Sequence, residues 1–187
     1  MFDMRVETQT FEPTRFSAPA YPNLASGEFD LAGERLVIRK LHSADLDEIE
    51  RHFLDLARFD RAARFMSAAS DEAVKSYLRG IDQSAATMIG AFALSGRLVG
   101  LAEAQPTEKA ATVEIAVTVA ADYQLKGLGR ELVRRLIALA FAEGVRTAEF
   151  NFCPSNKPII RIVSSLGGRF GKLLGQASIS RAANIGR

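Results

Sequence analysis

A glycine-containing turn at residues 124–130 separates a strand-like run from an amphipathic helix, and it constrains the fold more than any other segment. The run before it, residues 112–119, is rich in β-branched residues, and the apolar spacing from about Gly129 onward has the helical period. Such a turn leaves backbone N–H groups unpaired at the positive end of the helix dipole, where phosphate oxygens bind. The sequence therefore predicts that this turn, here named the glycine loop, binds a phosphorylated ligand.

Two common nucleotide-binding motifs do not fit the chain. It has no Gly-x-Gly-x-x-Gly fingerprint, and Gly171-Lys172 fails as a phosphate loop because Leu166 stands where the first glycine belongs. Nicotinamide and nucleoside-triphosphate sites are therefore not predicted. A strand–turn–helix corner whose glycines serve only close packing remains the alternative to a phosphate site.

Composition narrows the class of protein. A chain of 187 residues with 48% hydrophobic and 25% charged residues is typical of one globular α/β domain. The net charge of +2 favours a small anionic partner over nucleic acid. One cysteine, Cys153, and two histidines make a disulfide impossible and a Cys/His metal site unexpected, so a reduced, cytoplasmic setting is predicted. No apolar run suits a membrane span or a signal peptide.

Hydrophobic periodicity predicts the order strand, two helices, three strands, helix, strand, helix, strand. The predicted segments are a strand from Arg35, a helix capped by Ser43, a charged loop at 58–64, a helix from Ser70, strands at 87–94, 98–104 and 111–119, a helix from Gly129, a strand at 147–153, a helix at 156–166 and a strand at 169–174. Residues 1–30 mix isolated aromatics with prolines, which predicts an extended arm on its own domain or on a second subunit of a homodimer, with a disordered terminus as the alternative. Residues 31–187 form the predicted single domain.

The spacing Gln-x-x-Gly-x-Gly in the glycine loop resembles the pyrophosphate-binding loop of the GCN5-related N-acetyltransferases (GNAT). Asn156, followed eleven residues later by Gly167, is similar to a second mark of that family. Residues 53–56, 61–65 and 113–117 resemble the acetyltransferase domain of bacterial protein-lysine acetyltransferases. The resemblance extends over about residues 35–170 and implies an α/β (α+β) fold with a mixed, mostly antiparallel sheet flanked by helices. That sheet would splay open between the strand ending at Val119 and the strand starting near Thr147.

The resemblance implies that acetyl-CoA is the cosubstrate, with its pantetheine arm in the opening of the sheet. Backbone N–H groups near residues 117–119 would orient the thioester and stabilise the oxyanion. No metal is implied. The cofactor-binding residues implied by the match are Val117, Thr118, Val119, Gln124, Leu125, Lys126, Gly127, Leu128, Gly129, Arg130 and Asn156.

Glu114 is the predicted general base. A lysine amine with a reference pKa of about 10.4 must lose a proton before it attacks a thioester. Strand alternation points Glu114 to the face that also carries the small residues Ala116 and Thr118, which leaves space for a substrate. The resembling enzymes carry a catalytic glutamate at this position. The alternatives are an exposed Glu114 paired with a cross-strand lysine or arginine, and Glu103 as the base.

The chain departs from the family where many members carry a tyrosine that protonates the leaving thiolate, because Val163 stands there. Ser164 is either a substitute acid or a packing residue, and Cys153 is predicted to be inert core. Arg61 and Arg64 either guide a substrate or are solvated. The predicted function is N-acetylation of a primary amine, with a protein lysine or a small-molecule amine as acceptor. The alternative class is an acyl-CoA-binding sensor that has lost efficient catalysis.

Overall fold

The computed structural model describes residues 26–82 and 85–181. Within these ranges, eight strands and five α-helices alternate along the chain, with short 3₁₀ turns at Ser43–Asp45 and Ala121–Tyr123. The elements are β1 (Gly27–Leu31), β2 (Glu34–Lys40), α1 (Leu46–Leu54), α2 (Arg58–Phe65), α3 (Asp71–Gly80), β3 (Thr87–Ala93), β4 (Leu98–Pro106), β5 (Thr112–Val119), α4 (Leu128–Ala142), β6 (Thr147–Asn151), α5 (Lys157–Ser165), β7 (Arg169–Phe170) and β8 (Gln176–Ser180).

The strands form one sheet in the order β1-β2-β3-β4-β5-β6-β8-β7. Every neighbouring pair is antiparallel except β5 and β6, which are parallel. The β5–β6 pairing begins at Thr112 and Thr147 and ends at Glu114 and Glu149. Beyond that rung the two strands separate, which confirms the predicted mixed, mostly antiparallel sheet that splays between them.

Apolar side chains cover both faces of the sheet. On one face α4 and α5 bury Leu132, Leu136 and Val163 against β3, β4, β5 and β6. On the other face α1 and α3 bury Phe53 and Val74 against β3 and β4. We call this second face the α1–α3 face. It has no helix over β6 and β8, where the outward residues are polar, so the sheet is open next to the splay.

The charged segment predicted as a loop is helix α2. It buries no residue fully, so its sequence lacks the apolar stripe that marks a helix. Instead its arginines attach it to the domain: Arg61 donates to the Leu54 carbonyl (2.5 Å) and pairs with Asp71 (2.6 Å). Tertiary contacts rather than local pattern therefore determine this helix.

The two ends of the described chain also differ from prediction. The predicted final strand is the short β7 followed by β8, because the chain reverses at Gly175, whose φ of +83° suits glycine. The strand β1 pairs with β2 from Gly27↔Ile38 to Leu31↔Glu34, so the predicted boundary at residue 30 falls inside a strand. Residues 1–25 of the arm predicted for residues 1–30 lie outside the described residues. In the described ranges, none of the helices combines the length and apolarity required to cross a bilayer.

Candidate active site

The glycine loop joins the end of β5 to α4. Leu125 (φ +58°) and Gly127 (φ +95°) have left-handed backbone conformations, and Gly127 is the N-cap of α4. A Cβ added at Gly127 would meet no atom within 4 Å, so the space in front of the first turn of α4 is open. The first helical bond, from Glu131 N to Gly127 O (3.1 Å), leaves the preceding N–H groups at the helix start without intrahelical partners. This geometry fits an anionic phosphate group.

Side chains fix the shape of the glycine loop from both sides. The Gln124 amide donates to the Val119 carbonyl (3.0 Å) and to Asp60 of α2 (2.9 Å). Lys126 donates to the Asp122 carbonyl (2.8 Å). Gly129 is placed so close to α5 that an added Cβ would lie 3.2 Å from Ile162. The close-packing role of glycine therefore applies to Gly129, whereas Gly127 leaves open space for a ligand.

Two backbone hydrogen bonds determine which amides of β5 face the splay. Thr107 N donates to Thr112 O (3.1 Å) and Ala120 N donates to Val99 O (2.9 Å), so the even-numbered residues of β5 bond to β4. The odd-numbered residues direct their N–H and C=O groups away from β4. Val117 and Val119 lie beyond the last β5–β6 rung, so their N–H groups face the opening.

Thr118 faces the other way. Its hydroxyl lies 2.9 Å from His52 Nε2, and His52 Nδ1 lies 3.2 Å from the Leu98 carbonyl. Because a carbonyl only accepts, Nδ1 carries the proton and Nε2 accepts from Thr118. Burial lowers the pKa of His52 to about 4, so the ring is neutral. With its hydroxyl bound to α1 and its backbone bound to β4, Thr118 is not positioned as a cofactor ligand, contrary to the sequence-based expectation.

Glu114 is exposed at the last rung that β5 shares with β6. Its cross-strand neighbours are Gln105 on β4 and Glu149 on β6, and Glu149 is itself paired with Lys109 (2.8 Å). Among the described side chains, none with a positive charge forms an ion pair with Glu114. The predicted cross-strand partner is therefore not observed, and the carboxylate has both oxygens available at the apex of the splay.

Glu103 has a different environment from Glu114. Its side chain is 1% exposed and forms an ion pair of 2.5 Å with Arg64, whose side chain is 10% exposed. The Tyr77 hydroxyl donates to Glu103 (2.7 Å), and Gln105 Nε2 donates to the same carboxylate. We call Arg64, Tyr77, Glu103 and Gln105 the polar network. Because three donors already occupy the buried carboxylate of Glu103, it is not suited to accept a substrate proton.

Tyr77 connects the members of the polar network. Its oxygen accepts from Arg64 Nη2 (2.5 Å) and from Gln105 Nε2 (2.9 Å) while its proton goes to Glu103. Burial, the largest influence, raises the pKa of Tyr77 well above its ordinary value, so the phenol stays protonated. The Arg64 guanidinium also lies 4.9 Å from the Tyr77 ring centre and 5.1 Å from that of Phe65. Arg64 is thus neither solvated nor free to guide a substrate.

Helix α5 carries the remaining predicted residues. Asn156 is its N-cap, with Oδ1 accepting from Ile159 N (3.3 Å), which leaves the amide nitrogen for a ligand. Val163 is fully buried and its Cγ1 lies only 2.3 Å from where a Cβ on Gly168 would stand, whereas Ser164 is exposed. Arg130 of α4 donates to Ser165 of α5 (3.1 Å), so the start of α4 is attached to this helix.

Cys153 was predicted to be inert core, but it does not lie in the core. The residue follows β6 and is half-buried, and its Sγ lies 3.0 Å from the Ser155 hydroxyl, which lowers the pKa of the thiol. The apolar strand pattern around it was misleading because β6 ends at Asn151, two residues earlier. In the described chain, no group of three or more histidine, cysteine, aspartate or glutamate side chains is arranged to hold a metal ion.

Comparison with solved structures finds the same fold in several acetyltransferases. The GNAT domain of PAT from S. lividans matches with a TM-score of 0.71 and 16% identity, over 87% of this chain and 100% of that one. Ribosomal-protein-S5-alanine acetyltransferase from Vibrio fischeri matches with a TM-score of 0.64 and 16% identity, over 84% and 97%. Spermidine N-acetyltransferase from Vibrio cholerae, in complex with CoA and spermine, matches with a TM-score of 0.63 and 17% identity, over 79% and 96%. At these identities the likeness concerns the fold alone.

Sequence comparison identifies the family. No curated protein sequence gives a significant match to the chain. The family model described as an acetyltransferase (GNAT) domain matches residues 35–169, which is most of the chain and includes the splay, the glycine loop and α5. The chain therefore belongs to the GNAT acetyltransferase domain family.

Proposed function

We propose that this protein transfers an acetyl group from acetyl-CoA to a primary amine, with Glu114 as general base. The observation that carries the proposal is the position of Glu114, an exposed carboxylate without a cationic partner at the rung where β5 leaves β6. The amides of Val117 and Val119 lie further along the same strand, and the open glycine loop follows the end of that strand. The proposed base, backbone donors and anion site thus follow one another along the chain.

Acetyl-CoA supplies a thioester, an acyl group already activated for attack by an amine. The residues that would hold it are the glycine loop around its phosphates, Asn156 through its free amide nitrogen, and the N–H groups of Val117 and Val119 beside its acyl end. Thr118 is left out of this set because its groups bond to His52 and β4. Arg130, at the first turn of α4, would add positive charge near the phosphates.

Glu114 would take a proton from the ammonium group of the acceptor, directly or through a water. The neutral amine then forms the new C–N bond while the C–S bond breaks and the electron pair leaves on sulfur, and the nitrogen gives up its second proton to solvent to become the amide. Val163 is buried and Tyr77 keeps its proton in the polar network, so neither is the acid for that sulfur. A thiol with a reference pKa of about 8.5 leaves tolerably as a thiolate, which then takes a proton from solvent.

The acceptor class follows from chemistry rather than from the likeness to known enzymes. Two structural neighbours are named as acetyltransferases of a ribosomal-protein alanine and of spermidine, and both of these acceptors are amines. For this chain we propose a primary amine, with a protein lysine or a small-molecule amine as the source. The buried Val163 favours a second candidate, an acyl-CoA-binding sensor without efficient turnover.

Calorimetric titration with acetyl-CoA tests the proposal. Gly127→Glu introduces a side chain and a negative charge at the open front of the glycine loop, and Gly144→Glu is its matched control. Both glycines have positive φ (+95° and +100°) and open space around a Cβ, but Gly144 lies beyond the other end of α4. We expect binding to be lost in Gly127→Glu and retained in Gly144→Glu. A folded parent that does not bind acetyl-CoA would refute the proposed function.

A further inference from the structure

A groove opens on the α1–α3 face, and its lining includes Gln105, the cross-strand neighbour of Glu114. It has a volume of about 770 Å³ and runs between α3 and the end of β4, with Ser76 and Tyr77 on one wall and Gln105, Pro106 and Glu108 on the other. Ala73, Ile81 and Ala86 make much of its remaining lining apolar. Among the described residues that line it, none is lysine or arginine. The groove therefore combines an apolar wall with negative charge, which suits a cation on an alkyl chain.

Gln105 connects this groove to the proposed base. It lines the groove and is the cross-strand partner of Glu114, so the two side chains leave the sheet on the same face. Cα atoms of such a hydrogen-bonded antiparallel pair lie about 5.5 Å apart. A ligand group at the inner end of the groove can therefore reach both side chains.

The polar network determines which end of the Gln105 amide is available. The amide group next to Glu103 must be the nitrogen, because an ionised carboxylate only accepts. The same nitrogen donates to the Tyr77 hydroxyl (2.9 Å), so both of its protons are used. In the described chain no donor is bonded to Gln105 Oε1. The network thus presents a carbonyl oxygen, and not an N–H group, to a ligand.

We propose that this groove receives the acceptor as a linear aliphatic ammonium ion, and that Gln105 is a specificity-determining residue for it. An ammonium group has three protons, of which one bonds to Gln105 Oε1 and another to Glu114. The alkyl chain lies along the apolar wall. Carboxylates are rejected because the inner end offers only acceptors, one of which is itself a carboxylate. This inference rests on the proposed function, since Glu114 is shared with it.

Two variants test the groove, one at its exposed wall and one at its inner end, and a third variant is the control. Ser76→Arg introduces positive charge on the exposed wall of α3, away from the core, and Ser95→Arg makes the same change in the exposed β3–β4 turn at the other end of β4. Gln105→Leu removes the carbonyl and replaces the amide side chain with an apolar one of similar size. Loss of a hydrogen bond to a charged group corresponds to an affinity loss of about tenfold or more.

The experiment is a calorimetric titration of the CoA-saturated protein with n-butylamine, 1,5-diaminopentane and Nα-acetyl-lysine methylamide. We expect at least one of them to bind the parent, with about tenfold weaker binding in Ser76→Arg and Gln105→Leu and no change in Ser95→Arg. Thermal unfolding of each variant identifies any that has not folded. A parent that binds CoA but none of the amines, or a Ser76→Arg variant that binds like Ser95→Arg, overturns the inference and leaves the proposed function standing. A parent that does not bind CoA refutes the proposed function instead.

Discussion

Gln105 and Glu114 face each other across the antiparallel β4–β5 pair, at the last rung before β5 leaves β6. The two residues differ in how their polar groups are used. The Gln105 amide nitrogen is bound inside the polar network, whereas the Glu114 carboxylate has no cationic partner among the described residues. The pair therefore presents only hydrogen-bond acceptors where the sheet opens, which is the chemistry that a protonated amine requires.

Replacing Glu114 with glutamine should reduce kcat for the acceptor amine by about 10²- to 10⁴-fold, because the amide cannot take the proton. The affinity for acetyl-CoA should stay unchanged, since the glycine loop is untouched. The steady-state rate of CoA release gives kcat, and calorimetry gives the affinity for acetyl-CoA. Glu149→Gln, one strand away, is the control and should retain activity. A parent with binding but no turnover would favour the sensor.

Removing the charge of Glu103, which lies in a buried ion pair, should destabilise the fold far more than removing the charge of a carboxylate in an exposed ion pair. Glu103→Gln leaves the guanidinium of Arg64 buried without its counterion, which typically costs about 3–5 kcal/mol of unfolding free energy. Asp122→Asn breaks the exposed pair with Arg97 and should cost less than about 1 kcal/mol. Urea denaturation of both variants gives the comparison, and equal losses would contradict the structural role of the network.

The free energy of unfolding should decrease as the pH is lowered from 6.5 to about 4, because of His52. Burial lowers the pKa of this ring from 6.5 to about 4. Below pH 6.5 the unfolded chain therefore takes up a proton that the folded chain does not bind until about pH 4, so stability is full above 6.5 and declines between these values. The loss amounts to roughly 3 kcal/mol for a shift of this size.

Urea unfolding of the parent and of His52→Asn at pH 7 and pH 5 measures this effect. The variant has no titrating ring at this position, so the part of the pH dependence that His52 contributes should be absent. If the free energy of unfolding changes equally in the two proteins between pH 7 and pH 5, the neutral His52 ring is not responsible for the pH dependence.

Installing the tyrosine that many family members carry should not improve catalysis here. Val163 is fully buried and packs against Gly168. Val163→Tyr therefore overfills the core and should lower the free energy of unfolding by about 1–3 kcal/mol. Ser164→Tyr places the same ring at an exposed position and should change stability by less than about 0.5 kcal/mol. Thermal unfolding separates the two cases, and a stable, faster Val163→Tyr enzyme would contradict this packing.

Local pattern predicted most of the fold because the strands and α4 carry strong periodicity. The hairpin of β3 and β4, strand β5 and the helix after the glycine loop all lie close to their predicted bounds. Helix α2 was missed since arginine contacts rather than an apolar stripe hold it. The prediction that Cys153 lies in the core was also wrong, because β6 ends before it.

The candidate site also has a part that the sequence predicted and a part that it did not. The glycine loop and Glu114 come from motifs that are contiguous in sequence, and their roles stay predictions until binding and turnover are measured. The polar network joins residues from α2, α3 and β4, so nothing local in the sequence points to it. The alternation that places Glu103, Gln105 and Glu114 on one face was available from sequence. The amide orientation of Gln105 was not, because it depends on Tyr77, 28 positions away.

Strand β5 beyond Glu114 is an edge in the middle of a sheet, bonded to β4 on one side and facing the divergent β6 on the other. Edges at the margin of a sheet are open to any extended chain and have to be protected against unwanted strand addition. This internal edge narrows towards Glu114, where β5 and β6 meet, and its unpaired N–H and C=O groups match those of an extended chain with amide groups of its own. The backbone therefore offers a ligand hydrogen bonds at the opening without any contribution from a side chain.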